Sequence, residues 1–443
     1  MRAHLLPDNE NRAALAPVNH KGKGHMRTTT VRRFATAGIA AAATFGTLSA
    51  SAVANDLGNN PIEAGTDAYL AAYPQLSQAQ ARAAASRSDA RRAVYDAAAQ
   101  DAATFGGAWF DPATNVVHIA ATTDAAAGSA AALGRRNGLQ VATHRVDRSA
   151  AQLEAQAADL RAGKGEIGQA AQGHVGIDVR SNQVVAAVPS SRRAALGRSA
   201  AASNVKLVDD QNVPVEADAG CTSRAACDWT IRAGAIMWRT NTSTPWCSVG
   251  FTARNSLNQR FVYTAGHCST GNGVTWGTGA QNIGPMSSSR DSGAIDASVI
   301  SVTNGWFTGD AGGEIYISGS ISGTAPVKGV APTVSYMVAG ETVCLSANFT
   351  QPTVSGNSCG ILGTNSDASV RGLARVDGLD ACGGDSGGGW YWLSSSGNRY
   401  AYGIHSRSDT GCHGDAGGTR SWYTAIANAK NGFQPGLNVE IRP

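Results

Sequence analysis

The sequence sets one serine hydroxyl among glycines and an acid, in Cys382-Gly383-Gly384-Asp385-Ser386-Gly387-Gly388-Gly389-Trp390. Such a hydroxyl attacks a carbonyl carbon only if a base takes its proton and nearby amides hold the charge growing on the carbonyl oxygen. With no Cβ, Gly383, Gly384, Gly387 and Gly388 can take backbone conformations closed to other residues, so the amides of Gly384 and Ser386 can converge on one point. That is the outline of an oxyanion hole. The bland alternative is a glycine-rich turn between two strands, and a motif of this kind is decided by its context.

The context includes a base and an acid. His267, in Thr264-Ala265-Gly266-His267-Cys268, follows the apolar run Phe261-Val262-Tyr263, which places it just past a strand with Cys268 able to anchor it. Asp296 opens a second alternating, β-branched run, Asp296-Ala297-Ser298-Val299-Ile300-Ser301-Val302. Asp291 is a rival acid, but Arg290-Asp291-Ser292-Gly293 reads as a turn. The pentapeptide Gly384 to Gly388 also fits the nucleophile elbow of α/β-hydrolases, a fold that needs its acid and histidine after the serine. Only His405 and His413 follow it here. Histidine, acid, serine is instead the order of chymotrypsin-like β-barrels, which argues against an esterase.

Trp246 to Phe251, Thr264 to Cys268, Val370-Arg371-Gly372-Leu373 and Asp380 to Trp390 together resemble the secreted bacterial chymotrypsin-fold serine proteases of the α-lytic endopeptidase and streptogrisin group. The likeness is tight from Cys221 to Pro443 and looser before it. It implies an all-β catalytic domain of two antiparallel barrels, with His267 and Asp296 from the first and Ser386 from the second. It also implies a smaller α+β pro-region that helps folding and blocks the site. Expected disulfides are Cys247 with Cys268, Cys344 with Cys359 and Cys382 with Cys412, leaving Cys221 with Cys227. Ser406 is expected near the catalytic acid, and Gly403 to Ser408 along the substrate backbone. Asp380 stands where trypsin-like enzymes carry the acid that binds Arg or Lys, whereas Ser408 replaces a glycine at the pocket mouth and Arg407 lies close enough to neutralise Asp380. Relatives pair the carboxylate matching Asp385 with an arginine after the cysteine matching Cys344; Leu345 occupies that place here, so the partner of Asp385 is open.

The elements that must position these residues are short. Runs such as Cys247 to Thr252, Arg260 to Thr264, Ala297 to Val302, Glu314 to Ser318, Thr333 to Val338, Ala368 to Ala374, Trp390 to Leu393 and Tyr400 to Ile404 are separated by Gly, Ser and Asn, as in a barrel or sandwich. Ser421 to Asn428 reads as a closing helix. All eight cysteines lie from Cys221 onward; the even count suits disulfides in an exported chain, with on the order of a hundred possible pairings, and the absence of Cys-x-x-Cys spacing argues against a metal site.

Residues 55–219 differ in texture, being Ala-rich and free of cysteine. Helices are expected over Asp67 to Tyr73, Leu76 to Thr104 and Ala150 to Ala162. Two segments, Ala108 to Ile119 and Val175 to Val185, echo one another as hairpins around an Asp-x-x-x-Asn turn. His118, His144 and His174 are scattered and suggest no chemistry. A carbohydrate- or wall-binding domain is the alternative to a pro-region here. The junction is expected between Asp209 and Gly220, after a last strand Val205 to Val208.

Upstream, Arg27, Arg32 and Arg33 precede an apolar run from Phe34 to about Ala50 that ends in Ala52-Val53-Ala54, the pattern of a secretory signal peptide. Met26 is the expected start, within an upstream extension and leader of residues 1–54. Charged residues are 15% of the 443, and residues 220–443 carry 14 Lys plus Arg against 13 Asp plus Glu. That balance gives no support to a nucleic-acid or membrane partner. The expected protein is thus a secreted serine endopeptidase, monomeric after maturation, with no cofactor, acting on protein or peptide substrates and partnered by its own pro-region. An inactive homologue used for binding is the alternative, though no member of the residue set is missing.

Overall fold

Alternation of β-branched and small residues makes Ile295–Ser301 a strand buried on both faces, and the sheet that carries His267 and Asp296 is built outward from it. The computed structural model describes residues 60–210, 230–240, 246–269, 271–278, 281–308, 312–317, 323–347, 358–409, 419–433 and 436–442. By contacts the chain divides into Met1–Ala54 and Asn55–Pro443, and every described residue belongs to the second unit. The expected leader, most of the 209–220 junction, Cys221, Cys227 and Cys412 lie outside the described residues.

The first sheet of the β-rich half has eight strands in the order Asn438–Val439, Thr252–Arg254, Arg260–Thr264, Ile295–Ser301, Gln281–Ser292, Thr275–Thr278, Ile236–Arg239, Trp246–Ser248. It curls as an open half-barrel around Val262, Trp276, Met286 and Ile300. The second sheet runs Arg399–Ser408, Gly389–Leu393, Thr342–Ser346, Cys359–Asp367, Leu373–Asp377, Arg420–Ala425, and the last strand pairs back with the first. These six strands close a ring, and the short strand Gly329–Val330 pairs in parallel with Arg399–Ser408 as the seventh strand of the sheet. The fold is therefore the expected all-β double antiparallel barrel, with the ring closed in the second half. Disulfides join Cys247 to Cys268 and Cys344 to Cys359, and Cys382 is also disulfide-bonded.

Several local expectations are corrected. Thr333 to Val338 is a 3-10 turn over Val334–Tyr336, not a strand. Ala368 to Ala374 begins as another, Ala368–Val370, because the Asp367 carboxylate accepts from the Ser369 amide and Arg371 and Gly372 take positive φ; the strand starts at Leu373. Ser421 to Asn428 is mostly the strand Arg420–Ala425, which closes the ring, and its helix begins only at Ile426. Asp291 lies on the strand Gln281–Ser292, and the turn follows it.

Residues 60–210 form two copies of hairpin, helix and returning parallel strand. One comprises Phe105–Asp111, Val116–Ala121, helix Asp124–Arg136 and Gln140–Arg145; the other Val175–Asp178, Gln183–Val188, helix Ser190–Ala202 and Val205–Asp209. Both hairpin turns use an Asp side chain as acceptor, Asp111 for the Ala113 amide and Asp178 for the Arg180 amide, and end on an asparagine at positive φ, Asn115 and Asn182. The helix expected over Leu76 to Thr104 is two, Gln78–Ala85 and Ser88–Ala99. The break docks the second helix: Ser88 accepts from the Ser395 amide and Asp89 from the Ser396 amide, each at 2.8 Å. Helices Asp124–Arg136, Gly165–Ala171 and Ser190–Ala202 were not expected, since their small residues form no clear apolar stripe.

A buried ion pair joins this region to the barrels. Arg91, 1% exposed, holds both oxygens of Glu341, 2% exposed, at 2.6 and 2.7 Å, and the Tyr95 hydroxyl donates to the same carboxylate at 3.0 Å. Nearby the Phe110 amide donates to the Ala339 carbonyl and the Tyr69 hydroxyl to that of Gly340. Removing one partner of such a pair leaves a buried charge and typically costs about 3–5 kcal/mol. Glu341→Gln in the full chain should lower the urea midpoint accordingly at unchanged slope; a midpoint within error of the parent would contradict the role assigned to the pair.

Candidate active site

Three side chains remote in sequence meet between the barrels. The strand Arg260–Thr264 delivers His267, held close to its neighbours because Gly266 lies against Arg290: a Cβ there would sit 2.2 Å from the Arg290 carbonyl oxygen. Asp296, on the adjacent strand, accepts from the His267 amide at 2.9 Å through one oxygen and faces the imidazole Nδ1 at 2.7 Å through the other. His267 Nε2 lies 2.8 Å from the Ser386 hydroxyl. An ionised carboxylate can only accept, so the Nδ1 proton points at Asp296 and Nε2 is left to accept from Ser386. Asp291 takes no part in this chain; its carboxylate binds Arg371 at 2.5 Å.

Asp296 has no exposed surface. Burial alone would push its carboxyl up, but the imidazole and the donated hydrogen bonds hold it well below the usual carboxylate range. Ser406 donates to it at 2.5 Å, and its backbone is fixed by Thr424, whose hydroxyl oxygen accepts from the Asp296 amide at 2.7 Å and donates back to the Asp296 carbonyl at 3.0 Å. Burial tends to lower the pKa of His267, yet the charge and hydrogen bond of Asp296 outweigh it and the net shift is upward.

Ser386 stands at the tip of a turn that is bonded to itself. The Asp385 amide donates to the Cys382 carbonyl, the Gly388 amide to the Asp385 carbonyl, and the Cys382 amide to the Asp385 carboxylate at 2.8 Å. A backbone amide thus meets the carboxylate whose partner the sequence left open, while Leu345 is packed in the core. Gly384 and Gly387 sit at φ +91 and +88, and a Cβ on Gly387 would meet the Thr264 hydroxyl at 2.1 Å. Among the described residues the amides of Gly384 and Ser386 donate to nothing, which leaves them available to a carbonyl oxygen. Ser248 ties the turn to the first barrel, its hydroxyl donating to the Gly384 carbonyl at 2.9 Å and its amide to that of Ser386 at 2.7 Å.

The residues expected to bind substrate are nearly inaccessible: Ser406 0%, Arg407 5%, Ser408 2%, Asp380 7% exposed. Ser408 is turned inward, its hydroxyl 2.9 Å from that of Ser421 and 3.2 Å from the Ala381 amide, beside Asp380 in the chain. The Arg407 guanidinium, expected to neutralise Asp380, reaches acids of the first barrel, with Nη2 3.6 Å from Asp296 and 3.9 Å from Asp291. Thr424, Ser248 and Arg371 were not foreseen as parts of the site, although Ser248 and Arg371 lay in segments singled out by their likeness. Away from the site, His118 and His144 are not scattered but paired, 2.9 Å apart and stacked on Trp109, and His174 is bonded to Asp210 at 2.8 Å. No group of three or more His, Cys, Asp or Glu residues suited to a metal occurs among the described residues.

No family model and no curated protein matches the chain. Among solved structures it is similar to a Nocardiopsis protease, at 26% identity and a TM-score of 0.36, over 48% of this chain and 99% of that one.

The electrostatics make one prediction. The imidazole of His267 should titrate above the ordinary histidine value of about 6.5, and in Asp296→Asn, where the charge is gone and burial remains, below it. By linkage, the stabilisation from this pair is fully present below the unfolded value and lost as pH rises through the raised folded value. A side-chain NMR titration that gives the same midpoint in both proteins would contradict the account.

Proposed function

We propose that the protein is an exported serine endopeptidase, made with a leader and a pro-region over residues 55–219 and matured by removal of both. The reading is carried by one observation, the unbroken hydrogen-bonded chain from Asp296 through His267 to Ser386. In the reaction the Ser386 oxygen attacks the scissile carbonyl carbon while its proton passes to His267 Nε2. The carbonyl oxygen, now negative, is received by the Gly384 and Ser386 amides. Collapse expels the amine, which takes the proton from His267, and leaves an acyl-enzyme on Ser386. Water, deprotonated by His267, then releases the acid and restores the hydroxyl. Asp296 keeps the imidazole in one tautomer and offsets its charge throughout.

Three bonded cysteines in the second barrel and a disulfide anchoring the His267 loop favour an oxidising, extracellular location. Asp380, a buried carboxylate two residues before Cys382, favours substrates with Arg or Lys before the cut bond. A fluorophosphonate should label the protein, Ser386→Ala should abolish labelling, and turnover of peptide anilides should fall by about six powers of ten, as in the subtilisin precedent. Anilides ending in Arg should be cut faster than those ending in Leu or Ala. Labelling that persists in Ser386→Ala would end the proposal, and equal rates on the three anilides would end the basic preference alone.

The pro-region reading has its own test. Residues 220–443 expressed alone should yield little active enzyme, and adding residues 55–219 in trans should restore it. Equal yields with and without the addition would remove the folding role.

A further inference from the structure

We propose that Arg407 is a positioning residue, which orients the Ser406 hydroxyl onto Asp296 and adds a fixed positive charge behind the acid, keeping His267 neutral, and so active as a base, at lower pH. The inference rests on the hydrolase reading above and on geometry that reading does not use. Arg407 Nε donates to the Ser406 oxygen at 3.1 Å. That occupies a lone pair of the hydroxyl, and its one proton is directed to Asp296 at 2.5 Å. The same guanidinium lies 3.6 Å from Asp296. A guanidinium cannot be deprotonated in this range, so its charge is permanent.

The charge is balanced by a neighbouring set. Arg371, from the second barrel, binds Asp291 at 2.5 Å and the carbonyls of Gly293 and Ile295 at 3.0 and 3.1 Å, clamping the hairpin on which Asp291 and Asp296 both stand. Among the described residues, two guanidiniums then face two carboxylates. The cluster is neutral when His267 is neutral and carries one excess positive charge when it is protonated. Without Arg407 it would carry one negative charge and become neutral on protonation, which favours the inactive imidazolium. Other titratable groups described on elements packed here have their own bonds: Arg420 to Asp409, Asp385 to the Cys382 amide, Arg290 to Ser292, His405 to the Trp390 indole, Lys430 to Asn438, and His174 to Asp210.

The test uses protein produced from the full chain and measures the rate of fluorophosphonate labelling against pH, which reads the base without a substrate pocket. Arg407→Gln should move the acidic limb up by about 0.5–1 pH unit. Arg407→Lys, which keeps the charge and loses the Nε bond to Ser406, should lower the plateau several-fold with the limb near its parent position. Asp291→Asn, which leaves Arg371 and Arg407 less balanced, should move the limb down. If Arg407→Gln does not fold, Asp291→Asn and Arg407→Lys still decide. A limb that stays fixed in Asp291→Asn, or a lysine variant shifted upward as far as glutamine, overturns the proposal. Wild-type protein that never reacts defeats the hydrolase reading itself; wild type that reacts with a titrating limb the variants leave in place defeats only the role of Arg407.

Discussion

A carboxylate with no exposed surface must stay ionised between two barrels, and most of what is specific about this structure serves that requirement. An isolated buried charge would take up a proton rather than persist. Asp296 persists because donors converge on it from separate elements: the amide and imidazole of His267 from the loop after one strand, Ser406 from the far barrel, and Thr424 through the backbone. Each donor must be placed by a strand pairing that is remote in sequence. The acid is therefore correctly housed only when both barrels are complete and docked, which links reactivity to finished folding.

That dependence explains the shape of the rest. Ring closure in the second barrel requires Arg420–Ala425 to pair with both Leu373–Asp377 and Arg399–Ser408, contacts that bring their entropic cost before their reward. Two of the places where residues 60–210 hold the ring lie beside its strands and outside its own ladder. One is the segment leading into Thr342–Ser346, held by Tyr69, Arg91 and Phe110; the other is the hairpin tip at Ser395 and Ser396, held by Ser88 and Asp89.

How much of this could be read from the chain depends on whether the signal was local. The serine turn, the histidine after its strand and the acid near the start of the next one are marked by residue type and spacing, and the structure brings the three within hydrogen-bonding distance. The paired hairpins also fell where expected, since Asp111 with Asn115 and Asp178 with Asn182 encode their turns directly. The failures share a cause. Helix Asp124–Arg136 hides in alanines that give no stripe, although Thr123 caps it and Arg135 and Arg136 complement its end. Arg420–Ala425 reads as a helix in the sequence because its strand character comes from two partner strands far away in the chain. The contacts of Arg407 depend on Asp291 and Asp296 arriving from the other barrel, and no local pattern announces them.

The hydroxyl, imidazole and carboxylate are already within hydrogen-bonding distance while residues 60–210 remain packed on the barrels. A segment that restrained activity by distorting the site would have to hold these groups apart, and it does not. The serine turn is also bonded chiefly to itself and to Ser248, so its shape does not rely on the N-terminal region. Restraint by that region, if the pro-region reading holds, must then act on access to the cleft. Maturation on this view uncovers an assembled site and requires no rearrangement of the residues that do the chemistry.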